Sequence, residues 1–190
     1  ACLVGSEMCI RDSYKAFDLS KEKGSRIESR SITQHEAMGC PVTYLGRYAE
    51  KYRAEGDSTL TNGLRGDWGY LEGRWQGFID STGMDVVVDM GKVTEIRDVE
   101  VDFMHQYDAV IYAPASVELM VSDDGKNYKT IDTAQPGVKT KEAYLVYPYR
   151  WKGNAKGRYV RVRALSREKD AWIFTDEVIV NRIIRSCGKG

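Results

Sequence analysis

MDVVVDM, residues 84–90, is the stretch that decides the fold class. Met84, Val86 and Val88 recur at every second position, and the charged Asp85 lies between the first two of them. Successive side chains of a β-strand point to opposite faces of the sheet, so this period of two is typical of a half-buried strand. The segment therefore predicts a strand with one apolar face and one polar face.

The same alternation recurs along the rest of the chain. It is found in DVEVDF (98–103), SVELMVS (116–122), RYVRVRAL (158–165) and WIFTDEVIVN (172–181). Asp124-Gly125 supplies the positive-φ turn that a hairpin needs between SVELMVS and the NYKTI that follows. Since no amphipathic helix of useful length is present, the sequence predicts an all-β fold, an antiparallel β-sandwich or jelly roll.

Composition narrows the function classes. With 190 residues, 42% of them hydrophobic, the chain can bury one good core, and it is shorter than the roughly 250 residues of a (β/α)₈ catalytic barrel. The 28 basic and 28 acidic residues cancel, which argues against nucleic acid or anionic lipid as a partner. No apolar run approaches the roughly 18 residues of a membrane span. The four cysteines have neither zinc-site spacing nor a disulfide pattern.

TNGLRGDWGYLEGRWQGF, residues 61–78, combines glycines with aromatic residues at a density that suits neither strand nor helix, and it predicts a long loop. Trp75 and Phe78 stand at the onset of a strand and are expected in the core. Trp68 and Tyr70 lie between glycines, and either core packing or an exposed role is open for them.

Several of these motifs, in the same order, resemble the coagulation factor 5/8 type C, or discoidin-like, family. They are NGLRG, GRWQGF, DVVVDMGKV, SVELMVSDDGKNY, GRYVRVRA and AWIFTDEVIV. The resemblance covers about residues 36–182 and implies a galactose-binding-domain-like β-sandwich. It is strongest to the carbohydrate-binding modules of family 32 that end bacterial family 20 β-N-acetylhexosaminidases.

The resemblance also implies a domain organisation. Residues 35–185 correspond to the discoidin-like domain, and residues 14–34 are similar to the terminal hairpin of a small β-sandwich domain that precedes it in those enzymes. Residues 1–13 are expected to form a non-domain segment, too acidic at Glu7 for a signal peptide, and residues 186–190 a tail.

For function, the resemblance implies a non-catalytic module of a glycoside hydrolase, a β-N-acetylhexosaminidase, that binds glycan through loops at one end of the sandwich. Aromatic rings stack on the apolar C–H face of a pyranose, while polar groups take the hydroxyls. The candidate residues lie in three loops, 61–78, 105–114 and 166–174. The predicted carbohydrate-binding residues are Trp68, Tyr70, His105, Tyr107, Asp108, Arg167 and Trp172. For each of them, packing or a solvated face is the competing interpretation.

Other functions remain as alternatives. A structural spacer or protein-interaction domain could keep the sandwich without binding sugar. A lipid-binding variant is weaker, because only Trp68 could act as an apolar spike. Catalysis is not expected, since no carboxylate pair matches the hexosaminidase barrel and neither His35 nor His105 joins a nucleophile motif.

Partners and location follow from the same resemblance. The expected partners are a glycan of N-acetylhexosamine or galactose type and an upstream catalytic domain of the parent enzyme. The implied location is secreted, periplasmic or at the cell surface.

Finally, the family resemblance implies a weak structural Ca²⁺ site. The ligands would be Asn62, Asp67, Glu177 and the carbonyls of Thr59 and Asp176. Oxygen ligands from a tight loop suit Ca²⁺, which accepts 6–8 of them. Asn62 stands where the family usually has Asp, which lowers the charge of the site.

Overall fold

The computed structural model describes residues 32–79, 83–135 and 144–183, together with the backbone of residues 17–18 and 23–24. The predicted segments 1–13 and 186–190, and most of 14–34, lie outside these described residues. The strands are β1 Phe17–Asp18, β2 Lys23–Gly24, β3 Val42–Gly46, β4 Gln76–Phe78, β5 Met84–His105, β6 Ser116–Ser122, β7 Lys129–Ala134, β8 Leu145–Leu165 and β9 Ile173–Val180. Four short 3₁₀ helices span Glu50–Tyr52, Gly56–Thr61, Tyr70–Glu72 and Tyr107–Ala109.

All strand pairs are antiparallel. β1 pairs with β2, while the remaining strands form one sheet in the order β4-β9-β5-β8-β6-β7, with β3 added on β5. The predicted hairpin of SVELMVS and NYKTI is confirmed as β6 and β7, and Gly125 in its turn has φ +70°. The all-β prediction is therefore confirmed.

Two long strands join the two layers of the sandwich. β5 has 22 residues and β8 has 21, where the sequence pattern indicated separate shorter strands. Residues 84–89 of β5 pair with 159–164 of β8, and residues 94–105 pair with 145–157. The register shifts between Asp89 and Thr94, so the ladder bends there and its two halves can face each other.

The alternating apolar residues of both halves bury into one core. Val86, Val88, Val160 and Val162 from one half share a buried cluster with Val99, Val101, Phe103, Val178 and Val180 from the other. On the opposite face of β5, Asp85 forms a bidentate ion pair with Arg161 at 2.8 and 2.7 Å. The period of two thus places Val86 and Val88 in the core, while Asp85 and Val87 on the opposite face are also buried.

The packed unit includes residues before His35. Ile32 bridges to Leu64, and the Thr33 amide donates to the Gly63 carbonyl at 2.8 Å. Within the described residues, contacts of the sandwich therefore extend at least to Ile32, three residues ahead of the boundary predicted at residue 35. Throughout the described ranges, the helices are too short and too polar for any of them to cross a membrane.

Candidate functional site

Trp75 is a buried residue of the glycine-rich loop 61–78 and connects that loop to the core. Its side chain is 2% exposed, and its indole Nε1–H donates to the Asp67 carbonyl at 2.8 Å. A Cβ at Gly66 would lie 2.1 Å from Trp75 Cε2, so only glycine lets the chain cross the ring at this point. The core positions predicted for Trp75 and Phe78, which is fully buried, are confirmed.

Further rings pack beside Trp75 in a group that we call the Tyr52 cluster, formed by Tyr52, Tyr70, Trp172 and Phe174. Tyr52 lies 5.0 Å from Trp172, 5.0 Å from Phe174 and 5.8 Å from Tyr70 between ring centroids, all edge to face. Tyr70 and Trp172 were both predicted to bind sugar, and the structure brings them together. Their rings are half-buried, however, and contact other rings. Edge-to-face packing of this kind stabilises the loops.

Trp68 has the opposite environment. Its side chain is 78% exposed at the outer side of the loop, and its backbone N–H donates to Asp67 Oδ1 at 2.8 Å. The ring of Tyr144 lies 5.2 Å from it with a tilt of 36°, and the Tyr144 hydroxyl donates to the Asp67 carbonyl at 3.3 Å. We call this pair the Trp68–Tyr144 platform.

The platform borders a depression of about 410 Å³. Its lining residues are Gly66, Asp67, Trp68, Tyr144, Leu145 and Val146. The sequence analysis missed Tyr144, because it belongs to no motif and precedes β8 at a distance from the glycine-rich loop. The aromatic repeat of YLVYPY, residues 144–149, was a signal for it.

The loop 105–114 turns its aromatic side chains inward. His105 is fully buried, with its ring 5.7 Å from Tyr112 and 5.8 Å from Tyr147. Tyr107 packs 5.9 Å from Tyr112, and Asp108 is exposed in the adjoining 3₁₀ turn. The buried imidazole of His105 lies where a glycan in solvent cannot reach it.

Arg167, the last of the seven candidates, donates from Nη2 to the Pro114 carbonyl at 3.3 Å. The predicted residues therefore fall into three places: Trp68 on the platform, Tyr70 and Trp172 in the Tyr52 cluster, and the remainder around loop 105–114. These places adjoin one another, because the Trp172 N–H donates to the Val110 carbonyl at 2.9 Å, and Tyr144 packs against the same buried group as Tyr70 and Trp172.

The carboxylates predicted for Ca²⁺ lie beneath the loop. Glu177 is fully buried and accepts hydrogen bonds from His35 Nε2 and from the Gly63 amide, both at 3.0 Å. His35 Nδ1 faces the Val180 amide at 3.4 Å as an acceptor, so the ring proton lies on Nε2 and points to Glu177. Burial raises the pKa of Glu177 to about 8.

The neighbouring Asp176 is also buried and accepts the Gly66 amide at 2.8 Å. Asn62 Oδ1 accepts the Leu64 amide at 2.8 Å, while Asp67 is exposed and turned toward Trp68. Within the described ranges, no three His, Cys, Asp or Glu side chains are grouped so as to hold a metal ion. Asn62 Oδ1 and the Glu177 carboxylate, two of the predicted Ca²⁺ ligands, thus already accept protein N–H groups, which disfavours a cation at these oxygens.

A catalytic centre would need ionisable groups that a substrate can reach. Three strongly shifted groups lie close together: burial raises the pKa of Asp176 to about 7 and that of Glu177 to about 8, and it lowers the pKa of His35 to about 4. All three side chains are buried under the loop, and these pKa shifts are therefore those of a structural network.

Comparison with solved structures shows the same fold in sugar-related proteins. A fucose-binding module of Streptococcus pneumoniae aligns with a TM-score of 0.54 and 14% identity, over 80% of this chain and 96% of the module. The lectin domain of lectinolysin, complexed with Lewis B antigen, aligns with a TM-score of 0.52 and 16% identity, over 80% of this chain and 99% of the domain.

A third structure, SpGH29, aligns with a TM-score of 0.50 and 13% identity over 80% of this chain, which spans only 28% of that protein. The comparison with curated proteins gives no match. The sequence itself matches the F5/8 type C domain family over residues 43–178. This match covers most of the sandwich, from β3 into β9, and the chain therefore belongs to the F5/8 type C domain family.

Proposed function

We propose that this chain is a non-catalytic carbohydrate-binding module that binds glycan on the Trp68–Tyr144 platform. The observation that carries this proposal is the exposure of Trp68, 78%, beside a second ring and a depression of about 410 Å³. An indole left in water contributes little to the core, whereas it offers a flat apolar surface to the C–H face of a pyranose.

The surroundings of the platform suit a sugar. The exposed carboxylate of Asp67 can accept hydrogen bonds from hydroxyl groups, and Leu145 and Val146 extend the apolar floor. The fold neighbours that are named as a fucose-binding module and as a lectin domain with Lewis B antigen support this class of ligand.

The finer parts of the proposal rest on the family resemblance. We infer that the module belongs to a glycoside hydrolase, a β-N-acetylhexosaminidase, and acts outside the cell by tethering the catalytic domain to glycan. The ligand would be of N-acetylhexosamine or galactose type, and the fold neighbours add fucose to the sugars worth testing.

A structural spacer is the second candidate function. The observation in its favour is that His105 is buried and that Tyr70 and Trp172 are half-buried and pack against other rings. A spacer would bind no glycan, and this outcome separates the two proposals.

The test is a glycan array with the full chain, followed by calorimetric titration of the best glycan. Trp68→Ala should weaken binding about tenfold to a hundredfold, because a platform ring contributes roughly 1–3 kcal/mol. Leu71→Ala is the matched control, since Leu71 is 73% exposed on the same loop but outside the depression. The Leu71→Ala variant should bind the glycan with the same affinity as the wild-type chain.

Trp68→Phe should retain part of the affinity because a smaller ring still stacks. Equal binding by Trp68→Ala and the parent would place the glycan elsewhere. Absence of any glycan binding by the wild-type chain would favour the structural spacer function.

A further inference from the structure

Arg65 belongs to the loop that carries the platform, and its side chain contacts three carboxylates. Its Nε is 3.1 Å from Asp176, its Nη1 is 3.3 Å from Glu100, and its Nη2 contacts Asp102. The Arg65 side chain is only 21% exposed, and Asp176 is 2% exposed. The planar guanidinium can serve several carboxylates at once, which a single ammonium group cannot do with the same geometry.

The loop backbone is tied to the same strand on both sides of Arg65. The Gly66 amide donates to Asp176 at 2.8 Å, and the Gly63 amide donates to Glu177 at 3.0 Å. Both carboxylates belong to β9, so adjacent residues of one strand hold the loop at two points three residues apart. Trp68 follows Gly66 by two residues, and its position depends on this attachment.

His35 contacts Glu177, the same β9 residue that accepts the Gly63 amide. Its Nε2–H donates to Glu177 at 3.0 Å, and both side chains have no exposed surface. The loop carbonyls are also satisfied: the Thr33 amide donates to the Gly63 carbonyl and the Gly39 amide to the Thr61 carbonyl, each at 2.8 Å. Protein N–H groups thus already bind the Gly63 and Thr61 carbonyls and the side chains of Asn62 and Glu177.

The positive charge of Arg65 also opposes the binding of a cation at Asp176. A divalent cation coordinated by Asp176 would have to displace the Arg65 guanidinium or sit beside its positive charge in a poorly solvated place. Removing Arg65 would take from the buried Asp176 its arginine partner, whereas Glu100 and Asp102 would keep Arg150, at 2.9 and 2.7 Å.

We propose that Arg65 and His35, rather than a divalent cation, hold loop 61–67 on strand β9, and that Arg65 thereby acts as a positioning residue for Trp68. The second half of this inference rests on the proposed sugar-binding function, whereas the first half does not. The Ca²⁺ site expected from the family resemblance is the opposing outcome of the test.

The first experiment needs only the full wild-type chain. Thermal unfolding is measured after dialysis against EDTA and again with millimolar Ca²⁺ added. The expected Tm is the same in both, because a cation stabilises the fold only if it binds the folded state. A Tm that rises and saturates with added Ca²⁺ would overturn the proposal.

The second experiment compares Arg65→Gln with Arg97→Gln. Arg97 also forms an ion pair, 3.0 Å from Glu36, but its side chain is 59% exposed and lies outside the loop. Arg65→Gln should lower Tm by about 10 °C, because it leaves the buried carboxylate of Asp176 without its arginine partner. Arg97→Gln should change Tm by no more than about 2 °C.

Hydrogen exchange of the Gly63 and Gly66 amides gives a readout specific to the loop. Arg65→Lys keeps the charge and is the second variant should Arg65→Gln not fold. Exchange at Gly66 should be faster in Arg65→Lys than in wild type, because the ammonium group cannot hold Asp176 and Asp102 together. Unchanged exchange at Gly66 would overturn the role of Arg65.

The positioning role is tested with the glycan selected by the array. Wild-type affinity should be the same with and without EDTA, and Arg65→Lys should bind at least threefold more weakly, by roughly the loss of one charge-assisted hydrogen bond. Loss of binding in EDTA would overturn the proposal. If no glycan binds at all, the proposed function fails, while Tm and hydrogen exchange still decide between Arg65 and a metal.

Discussion

Trp68 and Trp75 are seven residues apart in one glycine-rich loop, yet they face opposite environments. Trp75 is 2% exposed and packs beneath Gly66, whereas Trp68 is 78% exposed, with Tyr144 beside its ring. Both residues stand in similar glycine-rich surroundings in the sequence. The difference shows that the loop has an inner side, which packs on the sandwich, and an outer side, which is exposed to solvent.

The inner side consists of buried contacts to β9 and the Tyr52 cluster. Phe174 packs against the cluster, and Asp176 and Glu177 receive loop amides. The outer side has few contacts beyond those of Trp68 with Asp67 and Tyr144. Substitutions on the two sides should therefore separate stability from binding, and the following predictions test this.

The largest expected effect is that of Trp75→Ala. Loss of the buried indole and of its hydrogen bond to the Asp67 carbonyl should lower the free energy of unfolding by about 3–5 kcal/mol. Urea titration followed by circular dichroism measures this change. A loss below about 1 kcal/mol would mean that the inner side does not depend on this ring.

The pH dependence of stability should be the next largest effect. Burial, with the nearby charges of Arg65 and Arg182, lowers the pKa of His35 to about 4, and Glu100 opposes this shift. A folded pKa below the ordinary value of 6.5 gives stability that is present above pH 6.5 and lost as the pH falls through 4.

The measurement compares wild type with His35→Gln, whose amide can still donate to Glu177. Between pH 6.5 and 4, wild type should lose about 3 kcal/mol more than the variant. Parallel curves for the two proteins would show that His35 does not titrate across this range.

Gly66→Ala should have a moderate effect. The added Cβ would overlap the Trp75 ring, and relief of that clash should cost about 1–3 kcal/mol. Gly69→Ala is the matched control, since its nearest neighbour, Glu72 Cγ, lies at an ordinary contact distance of 3.5 Å. Equal urea midpoints for the two variants would contradict the close packing of Gly66.

The smallest effect is expected on the outer side. Trp68→Ala and Leu71→Ser remove exposed side chains, and each should change the free energy of unfolding by less than about 0.5 kcal/mol. Urea titration of both variants checks this. A larger loss for Trp68→Ala would make its ring part of the core and would weaken the distinction between the two sides.

The fold was predictable because strand alternation is a local property. Val86 and Val88 are two residues apart, as are Val160 and Val162, and the structure buries all four completely. The Asp124-Gly125 turn and the core positions of Trp75 and Phe78 were also readable from neighbouring residues. By contrast, the continuity of β5 across its bend could not be predicted, since it depends on pairing with β8 along both halves.

The sequence by itself determined the antiparallel sandwich, its family resemblance and the loop that carries Trp68. Only the tertiary structure decided that Tyr144 lies beside Trp68, that His105 is buried, and that Arg65 contacts three carboxylates. The physical reason is the separation along the sequence between the residues that interact. Alternation depends on residues two positions apart, whereas a loop residue is exposed or buried according to segments that are distant in the chain and meet only when the sheet has folded.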